Sequence, residues 1–222
     1  LNNFIKGTTF CEPNVARACQ TVNSYSDVGF LMDVSGSVGS HWADEKTFVR
    51  DLVETLGLSV TGAHAAVTTF DDQATFDISF SDHFTNQEFS AALETLTFRS
   101  GGTEIGIALD KALNEMFQEY TGMRPESPQT AVLITDGDSN SPVDYADFKH
   151  RFKAARIKLL VIGIGNVNEN DLLQLVETPD DLYLVTDFLA LDLNNFIKGT
   201  TFCEPNVARA CQTVNSYSDV GF

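Results

Sequence analysis

The sequence predicts an α/β fold in which helices cover both faces of a mostly parallel six-stranded sheet. Short apolar runs, typical of buried strands, alternate along the chain with helical patterns of apolar residues. The length of 222 residues and the hydrophobic content of 43% suit one sizeable core and leave too little chain for two large domains. We therefore expect one main domain.

The predicted strands are apolar runs that end at polar or glycine-containing turns. They comprise residues 28–32, 64–70, 74–80, 131–135, 159–164 and 182–185. Predicted helices fill most of the gaps, and three of them carry apolar residues at helical spacing. These stripes are Ile105, Leu109, Ala112, Leu113, Met116 and Phe117 in the first helix, Tyr145, Phe148, Phe152 and Ala155 in the second, and Leu189, Leu193, Phe196 and Ile197 in the last. Each stripe predicts a face that packs against the core.

An internal repeat marks both ends of the chain. Residues 1–30 recur without a change as residues 193–222. The repeat indicates a tandem array of nearly identical modules, although an artefact of sequence assembly would give the same pattern. The predicted division is residues 1–19 as the tail of a preceding repeat with its linker, 20–203 as one complete domain, and 204–222 as a linker and the start of the next repeat.

The chain is strongly acidic, with a formal net charge of -17. The two identical end segments are each neutral, so the excess negative charge lies in residues 31–192. An acidic surface repels phosphate backbones and anionic lipids, which argues against nucleic acid and membrane partners and favours cations or basic proteins. Solubility alone is the alternative explanation of the charge. No apolar run reaches the roughly 20 residues of a membrane span, so we expect no membrane insertion.

Four cysteines lie outside the hydrophobic centre of the chain, at Cys11, Cys19, Cys203 and Cys211. Their positions predict disulfide bonds at the margins of the domain and an oxidising, extracellular compartment. Buried free thiols are the alternative.

Oxygen-bearing side chains follow two of the predicted strands. Asp33, Ser35 and Ser37 stand at alternating positions after the first strand, and Asp136 directly follows the fourth. Thr103 follows a glycine pair at the start of a helix. Because the carboxyl ends of parallel strands meet at one edge of a sheet, we expect these three segments to converge there.

The converging groups predict a site for a hard divalent cation. Hydroxyl and carboxylate oxygens suit Mg²⁺, which is the first choice, and Mn²⁺ or Ca²⁺ would also fit. The predicted metal-binding residues are Asp33, Ser35, Ser37, Thr103 and Asp136.

These segments resemble a known family. The Asp-x-Ser-x-Ser segment from Asp33, the Gly-Gly-Thr loop ending at Thr103 and the Thr-Asp-Gly segment around Asp136 resemble the metal-ion-dependent adhesion site (MIDAS) of von Willebrand factor A (vWA) and integrin I domains. The resemblance spans residues 20–203, and all five site positions hold the family's residue types. It implies a Rossmann-like, doubly wound fold whose antiparallel edge strand is residues 74–80.

The resemblance also implies roles for the site residues. Ser35, Ser37 and Thr103 would contact the metal directly, whereas Asp33 and Asp136 would act largely through water. An Asp or Glu of a partner could then supply the missing anionic ligand. Family members couple such a site to a shift of the last helix, here residues 187–198, and we treat this switch as a hypothesis.

The implied function is a cation-dependent adhesion or protein-binding module of a secreted or cell-surface tandem vWA protein. Its partner would be collagen, another matrix protein or a receptor, with neighbouring repeats also in contact. The alternative is a structural repeat unit of an extracellular filament whose metal site is secondary. Because family domains bring their ends together, we expect a disulfide between Cys19 and Cys203. Local pairing of Cys11 with Cys19, and of Cys203 with Cys211, is the alternative.

Other sites receive little support from the sequence, and we expect no enzyme activity. An EF-hand loop beginning at Asp136 would lack its glycine at position six and its glutamate at position twelve. The chain contains no Gly-x-Ser-x-Gly hydrolase motif and no complete glycine-rich nucleotide motif. His41 is the histidine nearest to the site in sequence, and we expect it to be a surface helix residue.

Overall fold

The structure, a computed structural model, describes residues 25–199 of the chain. The strands over this range are β1 (Asp27–Asp33), β2 (His64–Phe70), β3 (Ala74–Ile78), β4 (Gln129–Thr135), β5 (Ile157–Ile164) and β6 (Leu182–Val185). The α-helices are α1 (Trp42–Leu56), α2 (Asn86–Thr95), α3 (Ile105–Lys111), α4 (Tyr145–Ala154), α5 (Glu169–Leu175) and α6 (Leu193–Gly199). Among the helices of this range, none is long and apolar enough to cross a lipid bilayer.

The strands form one six-stranded sheet with the order β3-β2-β1-β4-β5-β6. Every neighbouring pair is parallel except β2 and β3, so β3 is an antiparallel edge strand. The predicted fold class is therefore confirmed. The strand order reverses at β1, which has β2 on one side and β4 on the other, and such a switch point is where open α/β sheets bind ligands.

The edge strand β3 is shorter than predicted. It ends at Ile78, and not at Phe80, because a turn follows in which the Ser79 amide donates to Asp82 Oδ2 at 2.7 Å. Phe80 is nevertheless fully buried, with its ring 5.3 Å from that of Phe117. The apolar pattern thus detected a core residue that lies outside the strand.

Apolar side chains cover both faces of the sheet. Along β1, Val28, Phe30 and Met32 belong to the core that includes α1, α2 and α6. Leu31 belongs to the opposite core, to which α3, α4 and α5 contribute. Burial on both faces explains why the parallel strands are continuous apolar runs in the sequence.

The helix that begins with α3 changes its winding before it ends. After Lys111 the chain forms a π-helical turn over Ala112–Met116. This turn brings Met116 and Phe117 against Gly29 of β1, where a Cβ would clash with Met116 Sδ and lie 2.9 Å from Phe117 Cζ. The glycine in the middle of the strand therefore allows a close approach between helix and sheet.

The predicted last helix, residues 187–198, is wrong in its first half. The structure has a 3-10 turn at Phe188–Ala190 and then a separate helix, α6. Each begins with its own cap, since Asp187 Oδ1 accepts from the Ala190 amide at 3.0 Å and Asp192 Oδ1 from the Asn195 amide at 2.7 Å. Leu189 is consequently 83% exposed and does not belong to the core, whereas Phe196 is fully buried.

Candidate metal-binding site

The five predicted site residues lie at one edge of the sheet. Asp33 ends β1 and Asp136 directly follows β4, its neighbour in the sheet. Ser35 and Ser37 lie in the loop between β1 and the 3-10 turn that precedes α1, and Thr103 lies two residues before α3. The structure therefore brings three distant segments of the chain together, as the sequence predicts.

Polar contacts connect the side chains of the site. The hydroxyl oxygens of Ser35 and Ser37 are 3.1 Å apart, and Ser37 Oγ donates to Asp136 Oδ1 at 2.7 Å. Thr103 Oγ1 lies close to the same loop, 3.5 Å from the position that a Cβ on Gly137 would take. Three hydroxyls and a carboxylate thus face a common region, and they are the oxygen donors that hard cations prefer.

Asp33 is held rigidly beneath these hydroxyls. Its residue is fully buried, its Oδ1 accepts from the Ser35 amide at 2.8 Å, and its Oδ2 accepts from Thr135 Oγ1 at 2.8 Å. Both carboxylate oxygens therefore already have a protein donor. Such a carboxylate is well placed to orient neighbouring groups and poorly placed to be a direct metal ligand.

Backbone hydrogen bonds fix the loops relative to one another. The Gly36 amide donates to the Gly101 carbonyl, and the Ser100 amide donates to the Val34 carbonyl, both at 2.9 Å. On the other side, the Asn140 amide donates to the Thr103 carbonyl at 2.7 Å, while Asn140 Oδ1 accepts from the Thr103 amide. The position of the threonine hydroxyl is therefore set by the loops that follow β1 and β4.

The glycine pair before Thr103 is required by its acidic neighbours. A Cβ on Gly101 would lie 2.7 Å from Asp71 Oδ2, and one on Gly102 would lie 2.6 Å from Asn140 Oδ1. Arg99 anchors the start of the loop through an ion pair with Asp71, at 3.1 Å. Any side chain in place of either glycine would push the loop away from the site.

The site concentrates negative charge without a basic side chain. Burial raises the pKa of Asp33 to about 6, and burial also raises the pKa of Asp136, which a hydrogen bond from Ser37 partly opposes. The pKa of Glu45, a fully buried residue of α1, lies well above its usual range because of burial and the charges of Asp33 and Asp136. No Lys or Arg contributes to these shifts; the one positive contribution comes from His41, which lowers the pKa of Asp136. A cation would relieve this repulsion.

His41 lies beside the site at the end of the 3-10 turn Gly39–His41, directly before α1, and its side chain is 39% exposed. Its Nδ1 is 3.0 Å from Asp44 Oδ2, and its ring stacks on that of Phe188 with centroids 4.8 Å apart. The expectation of a surface role is right in part, because the ring also connects the site loop to the segment that precedes α6.

The EF-hand alternative does not fit the structure. A strand, β4, precedes Asp136 where an EF-hand has a helix. Asp138 Oδ1 accepts from the Asn168 amide at 2.7 Å, and Asn140 holds the Thr103 loop, so these residues do not form a ligand loop. Within residues 25–199, no group of three or more His, Cys, Asp and Glu side chains is arranged to hold a metal. A cation here would depend on the hydroxyls.

Sequence reasoning missed three contributors to the site. Thr135 orients Asp33, Asn140 positions Thr103, and Glu45 adds a buried carboxylate. Glu45 had a detectable signal, because it interrupts the apolar stripe of α1 that continues through Phe48 and Leu52. The other two act through loop contacts that periodicity does not report.

Two predictions fall outside the described residues. The four cysteines, including the proposed pair Cys19 and Cys203, lie there, as do the segments 1–19 and 204–222. The disulfide pattern and the domain boundaries therefore stay predictions.

Several proteins are similar to this chain. The collagen alpha-1(XII) chain of Notophthalmus viridescens is 29% identical over 174 residues, which is 77% of this chain and 18% of that protein. Vitrin of Bos taurus is 26% identical, covering 88% of this chain and 32% of vitrin, and matrilin-1 of Mus musculus is 24% identical, covering 86% and 38%. The chain thus spans well under half the length of these relatives. They are extracellular matrix proteins, which confirms the predicted extracellular localisation.

Solved structures with the same fold include proximal thread matrix protein 1 from the mussel byssus. It has a TM-score of 0.73 and 24% sequence identity, and the match covers 79% of this chain and 46% of that one. A second structure of the same protein, with a zinc-occupied MIDAS motif, also has a TM-score of 0.73 and 24% identity, and covers 78% and 47%. The family model for the von Willebrand factor type A domain matches residues 27–197, which is most of the sequence. The chain therefore belongs to the von Willebrand factor type A domain family.

Proposed function

We propose that this chain is a divalent-cation-dependent protein-binding module of an extracellular matrix protein. The cation would be held by Asp33, Ser35, Ser37, Thr103 and Asp136. The observation that carries the proposal is the contact series in which Ser35 Oγ lies 3.1 Å from Ser37 Oγ, and Ser37 Oγ lies 2.7 Å from Asp136 Oδ1. Side chains that are 100 residues apart in sequence meet there.

Mg²⁺ is the proposed cation. The donor set consists of hydroxyl and carboxylate oxygens without sulfur or imidazole, which favours Mg²⁺, with Mn²⁺ and Ca²⁺ as possible substitutes. The mussel thread protein with a zinc-occupied MIDAS motif supports a divalent cation at this place in the fold. When bound, such an ion would supply a Lewis-acidic centre for an anionic ligand.

The protein's own residues would leave room for an outside ligand. Both oxygens of Asp33 are engaged by Ser35 and Thr135, so this carboxylate would orient the site without neutralising the ion by direct contact. The ion would keep enough positive charge to attract an Asp or Glu side chain of a partner. The role is therefore binding and not catalysis. Collagens, other matrix proteins and receptors are the partner classes that we propose, because the relatives are matrix proteins.

The structural repeat unit stays a second candidate. The identity of residues 1–30 and 193–222 favours an array in which neighbouring vWA repeats are the main partners. The similarity to a thread matrix protein points the same way. In that case the metal site would be secondary to assembly.

The proposed helix switch has a physical route in this chain. His41 joins the site loop to Phe188, and Phe196 of α6 packs edge-on against Phe48 of α1 with centroids 5.5 Å apart. A change at the metal could therefore reach α6 through α1 and the segment before α6. An engineered disulfide that locks α6 to α1 should change partner affinity; unchanged affinity would contradict the switch.

The two functions separate in a binding experiment. Immobilised matrix proteins should retain the wild-type chain in Mg²⁺ and lose it in EDTA, and Ser37→Ala and Asp136→Ala should not bind in either condition. Asp110→Ala removes an exposed acid of α3 that pairs with Arg151, away from the site, and should bind like the wild type. Retention that is equal in Mg²⁺ and in EDTA would refute the metal-dependent role and favour the structural one.

A further inference from the structure

Glu45 is a buried acid that the five proposed metal-binding residues do not include. It lies in the first turn of α1 and is 0% exposed. In the described part of the chain, neither of its carboxyl oxygens has a hydrogen-bond partner. Burying an unpaired carboxyl group is unfavourable, and such groups are rare in folded proteins. Its presence therefore calls for a physical explanation.

Glu45 belongs to the same electrostatic environment as the metal site. The charges of Asp33 and Asp136 both act on it, and the Asp33 main chain partly opposes them. The helix that carries it begins one turn after Ser37 in the same connection. Since no Lys or Arg contributes to the shifts of these three acids, they form a set whose counter-charge has to come from outside the chain.

A purely structural role explains Glu45 poorly. An acid in the first turn favours the helix macrodipole, but the neighbouring Asp44 already provides one from the surface, where it contacts His41. Glu45 occupies the inner face of α1, in line with the buried Phe48, Val49 and Leu52. An apolar side chain would suit that position better, so the acid sacrifices stability for another purpose.

We propose that Glu45 is a third carboxylate of the cation site, acting from its buried side as a positioning residue. The inference rests on the proposed metal-binding function and extends it. Since no cluster of acids among residues 25–199 suits direct coordination, Glu45 acts on the ion through water, as outer carboxylates of metal sites do. Its negative charge would strengthen binding of a dication while leaving the ligand position on the open side free.

The test compares wild type, Glu45→Gln and Glu45→Met by calorimetric Mg²⁺ titration and by thermal unfolding, in EDTA and in Mg²⁺. Loss of an outer carboxylate typically weakens metal binding about 10- to 100-fold, so we expect Kd to rise by at least about 10-fold in both variants. In EDTA both variants should unfold at the wild-type temperature or above it, because the unpaired acid is gone. The rise in unfolding temperature on adding Mg²⁺ should shrink.

Val49→Ala is the matched control, because it weakens the same buried face of α1. It should lower the unfolding temperature equally in EDTA and in Mg²⁺ and leave the Kd for Mg²⁺ unchanged. A Kd within about two-fold of wild type for Glu45→Gln and Glu45→Met would overturn the inference and leave the proposed function intact. A wild-type chain that binds no Mg²⁺, like Ser37→Ala, would overturn both. The Met variant keeps the test valid if the Gln variant folds poorly.

Discussion

Without metal, the buried carboxylate of Asp33 should make the domain less stable as the pH rises. Burial raises its pKa to about 6 from a model value of 3.8. An acid whose pKa is higher in the folded state binds its proton more tightly there, so its favourable contribution is complete below the unfolded pKa. That contribution is lost as the pH rises through the folded pKa, which sets the window between about 4 and 6.

The size of the effect follows from the shift. A difference of about two pKa units corresponds to about 3 kcal/mol of unfolding free energy between acidic and neutral pH. About half of this, roughly 1.4 kcal/mol, falls between pH 5 and pH 7.5. That interval also avoids the isoelectric point, near pH 4.4, where the chain would be least soluble.

The assay is urea unfolding of the wild type and of Asp33→Asn in EDTA at pH 5 and pH 7.5. Many other carboxylates titrate, so the informative quantity is the difference in unfolding free energy between the two proteins. This difference should move in favour of the Asn variant by about 1.4 kcal/mol at the higher pH. In saturating Mg²⁺ the wild type should instead gain stability at pH 7.5. A difference that is constant with pH in EDTA would refute the reasoning.

Three other substitutions test the site and the fold. Thr135→Val removes the hydroxyl that orients Asp33 and should weaken Mg²⁺ binding about 10- to 100-fold in calorimetry, whereas Thr135→Ser should bind like the wild type. Gly29→Ala introduces a methyl group that clashes with a methionine sulfur and should cost about 1–3 kcal/mol in urea unfolding; a neutral effect would mean that the π-helical turn yields easily. Phe196→Ala should cost about 3–5 kcal/mol and Leu189→Ala nearly nothing, and equal costs would contradict the break before α6.

The strands were predictable because burial on both faces leaves a strong signal in the sequence. His64–Phe70 and Leu182–Val185 have the predicted bounds, and the other strands differ by one or two residues at an end. Periodicity failed where a residue fits a helical stripe by chance. Leu189 has the right spacing to Leu193, yet Asp187 and Asp192 each start a new turn and place the leucine in solvent.

The site was predictable only in part, because its residues are related by tertiary contacts. The alternation of Asp33, Ser35 and Ser37 indicates a shared side, but that β1 and β4 are neighbours followed from the family resemblance and not from any local pattern. The contact between Thr135 and Asp33 depends on that strand order, since the residues are 102 positions apart. Loop contacts such as that of Asn140 with Thr103 have no periodic signal at all.

Charge connects the stability of this domain to its proposed function. Three buried acids lie together at the switch point of the sheet without a basic side chain among the groups that shift their pKa values. The unfavourable contribution of Asp33 alone, about 3 kcal/mol at neutral pH, is close to the roughly 2.7 kcal/mol that a ligand at 100 times its Kd supplies. A dication at that concentration would therefore offset the strain that the site imposes on the fold. The same arrangement that makes the empty domain less stable would make ion binding tight, so metal affinity and resistance to unfolding should rise and fall together across variants of these acids.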